Sequence, residues 1–491
     1  MNFYKLTSSS VTSLVSVTFI GRLLGRAFTY GMLVYISQTL GADALGTFTV
    51  GLLVLKFGGA VTQVGMSTTA QKFVPVYRND ENSNRLTGVI LVCLGVPFVV
   101  GLILSGILYS LRGTLVPLVG SEILSSAAIL VFGIPLFGVF SVGESTTLGF
   151  KETKYAVYIR DIAQAGSAFL FVVVASVLST SIFAVSLAYL ASFVVAATAV
   201  IVFLARLGAF EGLSSPSVNT GKVLRYSVSV MPKSLTGPLI RWVDIFVLTV
   251  LATATQIGWY QASYQTAMLL IFALVSINSV FPPLASDLYD RGDYETLHRL
   301  YTSVTKWAAV FTLYATLFVI VFRRDVLVLF GESFVNAEWV LVVLALGKSV
   351  DAIIGPSGFF LSMTGNERLE MINSLTAAVL NLVLNVLLFL EYGLIGAAIA
   401  TSVSVSLLNV GRLVEIRYLS GFVPYSRDQL INIVPLTLAV SPMLVVVWIL
   451  PTSPIRLFMG GVLSLPVFLF ALLRLSITEE DELLRRSITD I

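Results

Sequence analysis

The chain has 491 residues, of which 56% are hydrophobic and only 12% are charged, and its mean hydropathy is +0.92. Because a soluble protein carries about 25% charged residues, this composition excludes a soluble globular domain and predicts a polytopic membrane protein. The chain has one cysteine, Cys93, and one histidine, His298. These counts exclude an intrachain disulfide and a metal site built from a cluster of histidines or cysteines.

Apolar segments bounded by charged residues, glycine or proline define the predicted helices. A helix needs roughly 20 apolar residues to cross a bilayer. By this rule the chain is an all-α membrane protein with about fourteen transmembrane helices. The predicted spans are 11–38, 44–70, 86–110, 123–148, 155–179, 182–206, 222–251, 256–284, 303–322, 337–363, 369–390, 393–416, 429–450 and 455–475.

The basic residues near the ends of these spans are distributed unequally between the two sides of the membrane. If both termini are cytoplasmic, 18 lysine and arginine residues lie on the cytoplasmic side and 4 lie on the opposite side. Positively charged loops are retained on the cytoplasmic side. We therefore expect a multi-pass protein of the cell (cytoplasmic) membrane with both termini in the cytoplasm.

Two pairs of similar segments recur at a nearly constant separation. LGTFTVG, which contains Gly46, matches IGWYQAS, which contains Gly258, at an offset of 212 residues. The segments around Gly149 and Gly365 match at an offset of 216. This pattern predicts a duplicated unit of six helices. Because six is an even number, both copies cross the membrane in the same direction.

The duplication predicts an N-terminal lobe at 1–210 (helices 1–6), a cytoplasmic linker at 211–222, a C-terminal lobe at 223–420 (helices 7–12), and helices 13 and 14 with a cytoplasmic tail at 421–491. Two pseudo-symmetric lobes around a central cavity are typical of an alternating-access transporter. A channel is a weaker interpretation, because no segment resembles a symmetric selectivity filter. A membrane enzyme is weaker still, since the short loops offer no clear acidic active site.

Predicted helix 1 carries Arg22 and Arg26, and predicted helix 2 carries Lys56 near its middle. A cation at this depth is costly unless it faces water, a partner or a ligand. Arg22 and Arg26 share one helix face. We expect all three to bind phosphate oxygens, which arginine holds bidentately and lysine as a point charge. The alternative is structural, with Arg22 or Arg26 paired to Glu144.

Predicted helices 7 and 10 each carry a cation three residues before an acid, as Arg241 with Asp244 and Lys348 with Asp351. Arg241 and Lys348 are further candidates for binding the phosphate or sugar of a ligand. For Arg241, the alternative is a local ion pair with Asp244. A buried carboxylate can change its protonation as a cavity hydrates. Glu144, Asp244 and Asp351 are therefore candidates for ion coupling or for charge pairing.

The balance of charges inside the predicted helices is positive. Arg160 and Arg412 lie near cytoplasmic helix ends and are interpreted as snorkelling anchors. The remaining cations outnumber the deep acids, so the cavity should attract an anion. These six cations are Arg22, Arg26, Lys56, Lys233, Arg241 and Lys348.

Several segments occur in an order that resembles a known family: GRLLGRAFTY, TLGADALGTFTVG, FVPVYRND, FPPLASDLYDRGDYETL and LNLVLNVLLFLEYGLIGAAIAT. The chain resembles, over essentially its whole length, the oligosaccharide flippase or polysaccharide biosynthesis (Wzx-type) family of the multidrug/oligosaccharidyl-lipid/polysaccharide exporter superfamily. The resemblance implies a two-lobed fold with a cationic cavity. Lipid II flippases share arginines in helices 1 and 2; Arg22, Arg26 and Lys56 resemble that arrangement, with lysine at the helix 2 position.

From the residues and the resemblance together, we predict a flippase that moves polyprenyl-(pyro)phosphate-linked oligosaccharide from the cytoplasmic to the outer leaflet by alternating access. We expect no enzyme activity, cofactor, metal or nucleic acid. The expected partners are the polyprenyl-linked saccharide, membrane lipids and a glycan polymerase or ligase, and a monomer would suffice. The alternatives are a lipid II-type flippase, a multidrug or cation antiporter, and a membrane-embedded glycan polymerase or ligase.

Overall fold

The computed structural model describes residues 8–79, 83–278, 281–425 and 427–475. Within these ranges all regular secondary structure is helical and no strand occurs. In hydrocarbon, a helix satisfies every backbone hydrogen-bonding group within its own segment, which explains why the apolar runs of the sequence adopt this structure. The predicted all-α class is confirmed.

Met1–Gly258 forms the first of two compact units. A π-helical turn, Tyr158–Gln164, lies between two of its helices. The helices of this unit are α1 (Ser8–Thr62), α2 (Met66–Asn79), α3 (Ser83–Ser110), α4 (Arg112–Val119), α5 (Ser121–Leu130), α6 (Ile134–Gly149), α7 (Thr153–Val157), α8 (Ala165–Leu178), α9 (Ile182–Arg206), α10 (Thr220–Leu251) and the first residues of α11 (Ala254–Leu270).

Trp259–Ile491 forms the second unit. It contains the remainder of α11 and two short 3₁₀ helices, Glu332–Ala337 and Arg427–Asn432. Its other helices are α12 (Phe272–Ile277), α13 (Phe281–Asp290), α14 (Tyr294–Val321), α15 (Arg323–Val328), α16 (Glu338–Ile354), α17 (Ser357–Met363), α18 (Glu367–Ser420), α19 (Ile433–Ile449) and α20 (Pro454–Leu475).

The described part of the chain contains nine helices that are long and apolar enough to cross a bilayer, or ten if the bent pair Thr220–Leu239 and Arg241–Leu251 is one span. Two of the nine, α1 and α18, are kinked at Gly41 (φ 85°) and Gly393 (φ 61°). Each covers two predicted spans, because glycine adopts these left-handed conformations without a steric penalty. The predicted number of fourteen is not confirmed.

The predicted lobe boundaries follow the duplication, whereas the two compact units follow packing. Helix α10, which the duplication assigns to the C-terminal lobe, packs within the first unit against α1, α2 and α3. The predicted boundaries at 1–210, 211–222, 223–420 and 421–491 therefore stay a prediction about the repeat.

Within the first unit, the two glycines of the predicted repeat pack against each other. A Cβ atom at Gly46 would overlap the carbonyl oxygen of Ala254 and lie 3.0 Å from the backbone nitrogen of Gly258. A Cβ atom at Gly258 would overlap the carbonyl oxygen of Ala42 and lie 3.2 Å from the nitrogen of Gly46. Both pairs in this reciprocal contact differ by 212 residues, which is the offset that the sequence indicated.

Large apolar side chains lie on the outside of both units. Leu178 is 80% exposed and Trp448 is 88% exposed. In a soluble protein, contiguous exposed apolar surface is rare and marks an interaction site or a membrane contact. Together with the apolar helices, these side chains identify a multi-pass membrane protein.

Candidate functional site

Helix α1 carries Arg22 and Arg26, and each follows a glycine. A Cβ atom at Gly21 would overlap the side chain of Val157, and one at Gly25 would lie 2.6 Å from the Cβ atom of Asp161. The two glycines therefore allow the π-helical turn Tyr158–Gln164 to pack directly against α1. Both guanidinium-bearing side chains are half-buried on this helix.

Asp161 and Arg241 lie close to the arginines of α1, and Lys56 lies close to Arg241. The Arg26 guanidinium interacts electrostatically with Asp161, Arg241 and Arg22. The Lys56 ammonium group interacts electrostatically with Arg241, and its Nζ atom lies 5.9 Å from the centroid of the Trp242 ring. The structure thus brings together four of the five predicted headgroup residues. We call Arg22, Arg26, Lys56 and Arg241 the cationic cluster.

No residue of the cationic cluster takes part in an ion pair within 4 Å in the described part of the chain. Asp161 interacts electrostatically with both Arg22 and Arg26, and Glu144 interacts with Arg22, but neither acid forms such a pair with them. Like charges at a half-buried site repel each other strongly, because water screens them poorly there. The cluster is therefore electrostatically incomplete and suited to an anion.

Among the described residues, Glu144 forms no ion pair within 4 Å with either arginine of α1, although it interacts electrostatically with Arg22. Its buried carboxylate forms an ion pair with Arg160, which lies on the π-helical turn. The direct partner of Glu144 is therefore Arg160, and the structural alternative for Arg22 and Arg26 stays a prediction. Arg160 therefore does more than the predicted anchor, because its guanidinium, on a side chain that is 57% exposed, also compensates a buried carboxylate.

The predicted local ion pair between Arg241 and Asp244 is absent from the structure. Asp244 is buried, whereas Arg241 is exposed, and no ion pair among the described residues joins the two. Spacing alone placed them on one helix face. Arg241 instead interacts electrostatically with Arg26 and Lys56, so it belongs to the cationic cluster.

Sequence reasoning missed Asp161. The sequence signal was an acid directly after Arg160 inside a predicted helix, but regular helix periodicity does not place that acid beside α1. The π-helical turn changes the register of the helix by one residue locally, and such turns occur frequently at functional sites.

Lys348 and Asp351 belong to a different polar network, in the second unit. Lys348 Nζ lies 3.4 Å from Asp351 Oδ2, and the Asn409 side-chain amide donates to the other oxygen of the same carboxylate. Arg412 donates from Nη1 to Asn409 Oδ1 at 3.0 Å and from Nε to Glu370 Oε2 at 2.8 Å. Arg412 is therefore a largely buried partner of Glu370, and its predicted role as an anchor is wrong.

Comparisons with known proteins identify the family. The model of the family described as "Polysaccharide biosynthesis protein" matches residues 11–288, and the MatE family model matches residues 233–387. The "Probable low-salt glycan biosynthesis flippase Agl15" of Haloferax volcanii is 29% identical over 217 residues. This alignment covers 43% of the chain and 44% of the relative, which is less than half of the length of either.

Solved structures share the fold at low sequence identity. The lipid II flippase MurJ, in an inward closed conformation, has a TM-score of 0.71 and 16% identity, covering 94% of this chain and 98% of MurJ. An inward-facing multidrug resistance MATE transporter has a TM-score of 0.64 and 16% identity, covering 80% of this chain and 94% of that transporter. Because the first family model matches more than half of the residues, the chain belongs to the polysaccharide biosynthesis protein family.

Proposed function

We propose that the chain is a flippase that moves polyprenyl-(pyro)phosphate-linked oligosaccharide across the membrane by alternating access, and that the cationic cluster binds the phosphate. The observation that carries the proposal is a group of four half-buried or exposed cations that have no ion-pair partner within 4 Å among the described residues: Arg22, Arg26, Lys56 and Arg241. The family and the flippase relative from Haloferax volcanii support the same substrate class.

The chemistry of phosphate explains this choice of side chains. Arginine forms two parallel hydrogen bonds to a pair of phosphate oxygens, and lysine contributes a mobile point charge. A diphosphate has enough oxygens to engage Arg22, Arg26 and Lys56 together. Its negative charge would remove the repulsion within the cluster, so binding would be strongest where the cluster is least hydrated.

The carboxylate of Asp161 places one negative charge near the cationic cluster without forming a direct ion pair with it. This carboxylate interacts electrostatically with Arg22 and Arg26. It can lie directly against α1 because Gly25 has no side chain. It partly neutralises the cluster when no substrate is bound and competes with the phosphate when substrate is present. The headgroup would then bind tightly enough to leave water and weakly enough to be released.

The orientation of the protein is part of the proposal. The excess of basic residues, 18 to 4, supports cytoplasmic termini in the cytoplasmic membrane. In that orientation the substrate enters from the cytoplasmic leaflet, where lipid-linked sugars are assembled, and leaves to a glycan polymerase or ligase on the other side. The protein would act as a transporter and leave the covalent chemistry to those partners.

The structure reduces the number of acidic residues that we propose for coupling transport to an ion gradient. Glu144 is already compensated by Arg160, and Asp351 by Lys348 and Asn409. We propose Asp244, whose side chain is only 4% exposed, as the coupling acid, because a buried carboxylate can change its protonation as a cavity hydrates.

The experiment that tests the proposal measures translocation of a fluorescent polyprenyl-phosphate saccharide in proteoliposomes. We expect Arg26→Ala and Lys56→Ala to reduce the rate at least tenfold. Arg299→Ala is the control, because Arg299 is an exposed cation that pairs with Glu295 four residues away. This variant should flip at the wild-type rate.

Two results would contradict the proposal. If both cluster variants flip normally, the cations are structural and the phosphate binds elsewhere. If the wild type moves none of several polyprenyl-phosphate saccharides but moves an organic cation, the protein is a cation exporter. Each variant is compared at equal amounts of folded protein, judged by its unfolding midpoint.

A further inference from the structure

A cavity of about 330 Å³ lies entirely within the second unit. It is bordered by α12, by the break between α16 and α17, and by α18, and it contains no residue of the cationic cluster. Ligand pockets range from about 300 to 1,000 Å³, so this cavity is large enough for one small ligand. It corresponds to about ten times the volume of a water molecule in the liquid.

The charged groups of this cavity are already balanced. Glu370 receives two hydrogen bonds from Arg412, and Asp351 is paired with Lys348. Asn409 connects the two pairs by donating to Asp351 and accepting from Arg412. Two carboxylates and two cations cancel, so the cavity has no net charge that would require an ion. Its hydrogen-bonding groups nevertheless remain numerous.

Two polar atoms in the wall have no hydrogen-bond partner. Ser357 is only 1% exposed, and its Oγ atom is unpaired; the Oδ1 atom of Asn278 is also buried and unpaired. Leaving such an atom unsatisfied costs about 1–3 kcal/mol. Both residues line the cavity, so a ligand that fills it can satisfy them.

The break between α16 and α17 places Ser357 in the wall of the cavity. Gly355 has a φ of 76°, which ends α16 and directs Ser357 and Gly358 toward α18. A Cβ atom at Gly358 would lie 3.1 Å from the Arg412 guanidinium carbon, so glycine allows the close approach. Phe359, which is 41% exposed, adds an apolar ring to the lining.

We propose that this cavity binds one neutral sugar ring, a hexopyranose of the transported glycan. Sugar hydroxyls donate and accept at once, so one can donate to Asn278 Oδ1 and another can bond with Ser357 Oγ. The remaining lone pairs of Asp351 and Glu370 accept further hydroxyl protons, and the apolar face of the ring packs on Phe359. This inference rests on the proposed function, because the sugar would belong to the same lipid-linked substrate.

The test uses saturation-transfer NMR with the full chain in lipid nanodiscs, since maltoside detergents contain glucose rings. The probes are the methyl pyranosides of glucose, galactose and mannose. We expect at least one to bind, and Ser357→Ala and Asn278→Leu each to weaken its binding about tenfold. Thr305→Val is the matched control, because Thr305 Oγ1 is also buried and unpaired but does not line the cavity.

Further measurements separate the two proposals. Farnesyl diphosphate, which has no sugar, should bind to the wild type and to Ser357→Ala equally well and bind weakly to Arg26→Ala. If it does so while no pyranoside binds, the sugar site is wrong and the proposed function stands. If a pyranoside binds but farnesyl diphosphate does not, the sugar site stands and the phosphate assignment fails. Sodium binding that depends on Asp351, with no pyranoside binding, would make the cavity a cation site and overturn the inference.

Discussion

Gly46 and Gly258 contact each other through their backbones, and the contacts of one glycine mirror those of the other. A Cβ atom on either glycine would lie 3.0 or 3.2 Å from the backbone nitrogen of the other glycine. The two carbonyl groups that these Cβ atoms would overlap belong to Ala254 and Ala42, which are also separated by 212 residues. The repeat is therefore expressed as a symmetric helix crossing within the first unit, and small residues are what such close crossings in membranes require.

The first prediction concerns this crossing. Gly46→Ala and Gly258→Ala should each lower the free energy of unfolding by about 3 kcal/mol, at the upper end of overpacking effects, because the new methyl group overlaps a backbone carbonyl that cannot rotate away. The symmetry predicts similar losses for both. Reversible unfolding in detergent with increasing dodecyl sulfate measures the effect.

Gly95→Ala is the control for that prediction. Gly95 also lies within a helix, but a Cβ atom there would have open space around it. It should be neutral or stabilising by up to about 1 kcal/mol. Equal effects of Gly46→Ala and Gly95→Ala would refute the close crossing.

The second prediction concerns Asp161. Asp161→Asn should tighten the binding of farnesyl diphosphate about tenfold, because the cationic cluster loses the carboxylate that competes with phosphate; this corresponds to about 1.4 kcal/mol. Isothermal titration of the purified chain measures the dissociation constant. The effect should shrink when salt is added, as expected for a charge interaction.

Glu152→Gln removes the same charge elsewhere and serves as the control. Glu152 pairs with Lys154 outside the cationic cluster, at 3.1 Å. The Glu152→Gln variant should bind farnesyl diphosphate with the same affinity as the wild type. Weaker binding by Asp161→Asn would show that the carboxylate orders the arginines and does not compete with the ligand.

The third prediction concerns the ion pair between Asp325 and Arg456 in the second unit. Asp325 is fully buried and receives hydrogen bonds from Arg456 Nε at 2.8 Å and from the Ser453 backbone at 2.8 Å. Arg456→Met should cost about 3–5 kcal/mol, because it leaves a buried carboxylate without its cation. The double variant Asp325→Leu, Arg456→Met should recover most of that loss.

The comparison for this pair is an exposed one. Arg291 pairs with Asp287 at 2.9 Å, and both side chains are more than half exposed. Arg291→Ala should cost no more than about 1 kcal/mol, because water screens the interaction. A loss for Arg456→Met as small as that for Arg291→Ala would contradict the burial of the Asp325 pair.

The fourth prediction separates backbone conformation from packing in α18. Gly393 has a φ of 61° at the kink, and a Cβ atom there would meet no neighbouring atom. Gly393→Ala should therefore destabilise the protein by about 1–3 kcal/mol through backbone strain alone. Measurement of the unfolding midpoint is sufficient.

Gly411, in the same helix, provides the matched case. A Cβ atom at Gly411 also has open space, but no positive φ occurs there. Gly411→Ala should stabilise the helix by up to about 1 kcal/mol. If both variants behave alike, the kink at Gly393 is not a fixed feature of the fold.

The sequence by itself determined the class of the protein, the cations of α1 and the offset of the repeat. Transfer into lipid is nearly additive over residues, so apolar runs identify helices without knowledge of their neighbours. The cost of a buried charge is likewise a property of the residue, which is why Arg22, Arg26 and Lys56 were recognisable. The offset between Gly46 and Gly258 reappears in their backbone contact.

Only the tertiary structure decided which charge meets which. It paired Glu144 with Arg160, placed Asp161 against Gly25, and joined Arg412 to Glu370. These contacts depend on the rotation and depth of each helix, and a π-helical turn or a glycine kink changes both without altering hydrophobic periodicity. A direct ion pair needs hydrogen-bonding distance between its two groups, so a shift of one residue in helix register is enough to change which charges pair.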